Sequence, residues 1–143
     1  MLETMFLTAQ AVQLVGWAAL FAYPLIGRRR AVLVARAVTA LLALLYLCWF
    51  LPYAAAIPRD MGYSLAAIAG AFETRELLLA GWIHYLVLDL FLGSWEAEHA
   101  ERWGVSYPPL ASSLFLTMMA GPLGLLVYFA CAGLARRRRK ASA

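Results

Sequence analysis

A chain of 143 residues that is 64% hydrophobic and 14% charged, with a mean hydropathy of +0.75, is far more apolar than a soluble domain. Its net charge is +4, but the basic residues are bunched: Arg28, Arg29, Arg30 and Arg136, Arg137, Arg138, Arg139, Lys140 hold eight of the twelve. Such runs beside apolar segments meet anionic lipid headgroups and set topology, whereas a nucleic-acid-binding face would interleave basic and aromatic residues, an arrangement missing here.

Four segments are long enough to cross about 30 Å of hydrocarbon. The first covers residues 5–26 and stops at Gly27 and the arginines; Glu3 and no basic residue precedes it, so it reads as a retained helix and not a signal peptide. The second covers residues 31–57. A polar interlude follows, PRDMGYSLAAIAGAFETRE, whose apolar centre at residues 63–72 is too short to span and reads as an interfacial or re-entrant piece. The third span covers residues 76–95 and the fourth 108–134. The expected fold is therefore an all-α integral membrane domain over residues 1–143, a four-transmembrane-helix bundle with that short segment between its second and third helices. Trp17, Trp49, Trp95, Trp103 and Tyr107 lie towards span ends, where aromatic belts form. Cys48 and Cys131 sit inside apolar runs without paired spacing and read as small buried hydrophobes.

Orientation is not fixed by this scheme. Four crossings put Arg28, Arg29, Arg30, Arg36 and Arg102 on one side and the remaining seven basic residues on the other, too even a division to orient the chain. A re-entrant turn at Gly121 and Pro122 would remove the conflict, although a lone proline in a long apolar run is usually a kink.

The third span reads WIHYLVLDLFLGSW, and ionisable groups within a span are costly and rarely idle. His84 and Asp89 lie about 12 Å and 20 Å along the helix from Glu76. Five residues separate them, which places them about 140° apart round the axis. That is a poor chelate beside the i, i+3 or i+4 spacing of helical metal pairs, and no metal site is expected. Arg75, Trp82, Asp89 and Glu96 recur every seven residues along one face, with Tyr85 beside Asp89 at i−4. Glu73 and His84 share another side. In the bland reading Asp89 bonds Tyr85 or Trp82 and His84 caps a neighbouring carbonyl. Gln10, Gln13 and Trp17 form a stripe on the first span that can face the same interior. In the fourth span Pro122 frees a carbonyl near Met118, and Gly121 and Gly124 leave room for a neighbour or a ligand. No serine–histidine–acid set, phosphate loop or haem motif is legible, so no cofactor is expected and the ligand should be apolar.

The block GWIHYLVLDLFLGSW, followed by GPLGLLVY, resembles the family of the plant abscisic-acid-deficient-four protein, which is associated with neoxanthin synthesis. Trp82, His84, Asp89, Leu90 and Phe91 carry the W-x-H-x4-D-L-F pattern, and Gly121 and Pro122 the later element. The resemblance implies four spans, a carotenoid or isoprenoid-like lipid ligand, and an epoxide-to-allene rearrangement needing an acid and a base but no redox cofactor. His84, Asp89 and Glu76 are then the acid–base candidates, and Trp82, Tyr85, Phe91, Gly121 and Pro122 the ligand-binding ones. Arg outnumbers Lys eleven to one, which hints at a GC-rich bacterial gene. With no long N-terminal extension to serve as a chloroplast transit peptide, the resemblance implies a bacterial-type member, expected in the inner (cytoplasmic) membrane. A non-catalytic lipid-binding or assembly subunit is the alternative, with an ion or proton path behind it; an oligomer is compatible with either. A path would need polar residues across the other spans, and the second has almost none.

Overall fold

The computed structural model describes residues 1–57, 59, 60 and 62–141, and the regular elements among them are all helices. Helix α1 (Leu2–Phe21) runs into a single turn, α2 (Tyr23–Ile26), where Pro24 takes an early position whose N–H would have no partner anyway. Gly27 adopts φ 87, a conformation that costs a glycine little, and turns the chain into α3 (Arg28–Phe50). At Pro52 α3 tightens into a 3-10 segment, Leu51–Ala56. Next comes α4 (Leu65–Glu73), capped by the Ser64 hydroxyl accepting from the Ala67 N–H at 3.3 Å. Helix α5 (Arg75–Trp103) is the longest. Gly104 ends it at φ 72, with the Gly104 and Val105 N–H groups donating back to the Glu101 and Ala100 carbonyls.

Among the described residues, three helices are long and apolar enough to cross a membrane: Leu2–Phe21, Arg28–Ala55 and Arg75–Trp103. The interlude contributes α4, whose nine residues rise only about 14 Å and do not cross; its Pro58 and Met61 lie outside the described residues. Helix α5 is the hub, packing against α1, α3, α4 and the last two helices. Gly93 of α5 leaves a notch that the Trp17 indole fills, so Trp17 is 1% exposed and belongs to the core and not to an interfacial belt. Gln13 is buried on the same stripe, its amide donating to Gln10 at 3.2 Å.

The expected fourth span is not one helix. Residues 107–119 form α6 (Tyr107–Met119), Ala120 breaks the ladder at φ −157 and ψ 79, and α7 (Gly121–Ala141) starts again with Pro122 in its first turn. Pro122 thus opens a helix and does not kink one. The two helices lie against each other, with Gly124 set directly on the Thr117 backbone. Near the other end Val105, Ser106 and Pro109 face Cys131, Leu134 and Ala135, and the Arg139 guanidinium donates to the Arg102 carbonyl at 3.3 Å. Together these contacts describe a hairpin: α6 enters, turns at Ala120, and α7 returns to the end it came from. With 13 residues, α6 rises about 20 Å, short of a full crossing.

Returning α7 to the end of α5 redistributes the charge. Arg28, Arg29, Arg30, Arg36, Arg102, Arg136, Arg137, Arg138, Arg139 and Lys140 now share one end of the bundle, and only Arg59 and Arg75 remain at the other. The five-against-seven division of a four-span scheme becomes ten against two.

Candidate functional site

The seven-residue stripe of α5 faces the hairpin, and its polar members are buried unequally along it. Asp89, halfway along, is 7% exposed; Glu96, two turns nearer the basic end, is 0% exposed. Trp82, two turns nearer the other end, stays on the outside.

Asp89 sits at the hairpin's apex. A side chain at Gly121 would run into its Oδ1, so the carboxyl occupies the space that the glycine leaves. The Tyr85 hydroxyl lies beside the same carboxyl and donates towards the Met119 carbonyl at 3.4 Å. That carbonyl is free because the break at Ala120 ends the α6 ladder, one residue on from the Met118 carbonyl that the sequence pointed to. The second Asp89 oxygen is buried without a hydrogen-bond partner. A buried polar atom of this kind is uncommon and is costly unless something meets it.

From the apex an aromatic row leads outward. Tyr85 packs on Trp82 with ring centroids 5.5 Å apart, and Trp82 packs on Phe6 of α1 at 5.8 Å. Trp82, Phe6, Leu78 and Leu79 then line a cavity of about 650 Å³ between α1 and α5, with Glu3 and Arg75 among its walls. Trp82 is 37% exposed and Phe91 50%. The row therefore opens sideways to whatever surrounds the bundle.

Glu96 ties the hairpin to α5 lower down. Its Oε1 accepts from the Thr117 hydroxyl at 2.7 Å, while its Oε2 and the nearby Tyr128 hydroxyl are buried without a hydrogen-bond partner. Sequence reasoning placed Glu96 on the right face but gave it no role, and missed Thr117 and Tyr128. The seven-residue recurrence was the available signal; Thr117 and Tyr128 carry none, because only the hairpin turns them towards α5.

The remaining expected residues lie elsewhere. His84 is exposed on the far side of α5, its ring 5.7 Å from that of Tyr46, beside a cavity of about 160 Å³ lined by Phe50, Phe72, Leu77 and Gly81. Glu76 is half-buried at the start of α5, about 20 Å along the axis from Asp89, and its carbonyl accepts from the Trp49 indole at 3.2 Å. The structure thus brings Asp89, Tyr85 and Gly121 together, with Trp82 beside them. It does not join His84 or Glu76 to them. Pro122 is exposed next to the apex, and Phe91 faces outward. Among the described residues no group of three metal-ligating side chains forms.

A buried carboxyl paired with a phenol, in an apolar setting open to one side, can hold an oxygenated end of a long apolar molecule and exchange a proton with it. Compared with known proteins, residues 4–128 match the family described as ABA DEFICIENT 4-like. No curated protein and no solved structure matches the chain.

Proposed function

The chain belongs to the ABA DEFICIENT 4-like family, a membership that points to a carotenoid-related membrane protein, and we propose that it binds a carotenoid or other isoprenoid-like lipid along α5 and rearranges it by acid–base chemistry at Asp89. The apolar chain of the ligand lies over Leu78, Trp82 and Tyr85, and its oxygenated end reaches the Asp89 carboxyl from the Tyr85 side. The observation that carries this reading is the Asp89 carboxyl, buried in the hairpin's notch with one oxygen unpartnered and an aromatic row leading to it from outside.

The chemistry balances with one carboxyl. Protonated Asp89 gives its proton to an epoxide oxygen as the C–O bond breaks and its electron pair goes to oxygen. The cation left on carbon spreads over the polyene. Asp89, now a carboxylate, removes a proton from the adjacent carbon, the new C=C bond forms, and the carboxyl is protonated as at the start. Nothing is oxidised or reduced. The Tyr85 hydroxyl, beside the carboxyl, turns its one proton from the Met119 carbonyl to the carboxylate and steadies it during the step.

The test is conversion in liposomes holding purified protein and an epoxy-carotenoid, followed by chromatography for a product of unchanged mass. Wild type and His84→Ala should convert it, Asp89→Asn should not, and Tyr85→Phe should be slowed by about 10- to 100-fold. Full conversion by Asp89→Asn would remove Asp89 from the chemistry. Binding without conversion by any variant, wild type included, would leave the non-catalytic lipid-binding role in its place.

A further inference from the structure

The hairpin has a second consequence at the basic end of the bundle, independent of the carotenoid reading. By returning α7 to the end of α5 it sets Arg136, Arg139 and Lys140 beside Arg102 and Trp103, residues more than thirty positions earlier. These five line a cavity of about 470 Å³, and none of them is acidic. A neighbouring cavity of about 540 Å³ makes the contrast. Its arginines Arg28, Arg29 and Arg36 face Glu98 and Glu101, with Arg36 held to Glu98 at 2.6 Å and Arg28 to Glu101 at 3.4 Å. There the charge is met from within the chain.

We propose that the cavity of Arg102, Trp103, Arg136, Arg139 and Lys140 is a binding site for the phosphate of an anionic membrane lipid. Arginine forks match phosphate oxygens in pairs, and the Arg139 guanidinium donates from one nitrogen to the Arg102 carbonyl at 3.3 Å, which places it against the wall of the cavity. The site lies where the apolar length of α5 gives out, which is the depth of lipid headgroups. Trp103 supplies the amphipathic wall that such depths favour. The end of the bundle that collects ten of the twelve basic residues is also the end facing an anionic leaflet. A lipid phosphate is therefore preferred to a soluble one, because its acyl chains hold it at the mouth of the cavity.

Native mass spectrometry of the full chain in mild detergent tests this directly, with phosphatidylglycerol, phosphatidylcholine or inorganic phosphate added. The variant Arg136→Gln/Lys140→Gln changes two exposed residues of the cavity, whereas Arg29→Gln/Arg30→Gln removes the same charge at the same end of the bundle but outside it. Wild type and the second variant should retain one phosphatidylglycerol, and the first should lose about tenfold or more of that occupancy. Equal losses in both variants would reduce the site to general surface charge and overturn the proposal. Equal retention of phosphatidylcholine, or displacement of the lipid by millimolar phosphate, would overturn it as well.

Discussion

Asp89 and Gly121 are complementary at the level of single atoms, and each explains the other. A methyl group at residue 121 would meet the Asp89 oxygen, so Gly121→Ala should push α5 from the hairpin and cost roughly 1–3 kcal/mol. Asp89→Ala in the same chain should restore the stability but not the activity, as read by thermal unfolding in detergent and by conversion in liposomes; a double variant no more stable than Gly121→Ala would deny the contact. Thr117→Val should remove the hydrogen bond that the Thr117 hydroxyl donates to the Glu96 carboxyl and cost about 1–3 kcal/mol in the same unfolding measurement. The seven-residue spacing made the face of Trp82, Asp89 and Glu96 legible in the sequence, along with the separation of His84 from Asp89. It could not say which face would be covered, because that depends on a hairpin whose partner surface comes from residues 107–128. Nor could it say that Trp17 would leave the interface, since the notch at Gly93 lies on another helix.

At the scale of elements, α1, α3 and α5 follow from apolar length alone, and their ends are written in Gly27, Pro52 and Gly104. The last 37 residues are where length misled. An apolar run of residues 108–134 is long enough to cross, and a proline within it usually bends a helix without reversing it. Reversal needs surfaces that meet afterwards, and these are Gly124 on the Thr117 backbone near the turn, and Cys131 and Ala135 facing Val105, Ser106 and Pro109 at the other end. Gly124→Leu should therefore separate α6 from α7 and destabilise the protein at the upper end of roughly 1–3 kcal/mol. Pro122→Ala, which leaves that contact intact, should change stability by less than about 1 kcal/mol, because an early helix position loses little with its proline. Denaturant titration followed by circular dichroism checks both, and a larger loss for Pro122→Ala would shift the cause of the turn to the proline.

For the whole molecule, if the three long apolar helices cross a membrane and the α6–α7 hairpin does not, the two ends of the chain lie on opposite sides, where four crossings would place them together. Ten of the twelve basic residues lie at the hairpin's end, which by the positive-inside tendency is the end expected to face the cytoplasm. In a background with Cys48 and Cys131 replaced by alanine, cysteines introduced at Ser106 and Lys140 should react with an impermeant thiol reagent from the same side, and one at Glu3 from the other. Reaction of Ser106 and Lys140 from opposite sides would restore the fourth span. Under the three-crossing topology the Asp89 apex would lie in mid-membrane with its aromatic row open to lipid, as the proposed carotenoid-like ligand requires. The most direct measurement of that claim is the polyene absorbance that purifies with the protein from a carotenoid-producing host, per mole of chain. Wild type should carry a polyene band, Phe115→Ala, on an exposed position of α6, should keep it, and Trp82→Ala should lose most of it. A band that is absent from wild type, or one that survives Trp82→Ala undiminished, would contradict the placement of the ligand along α5.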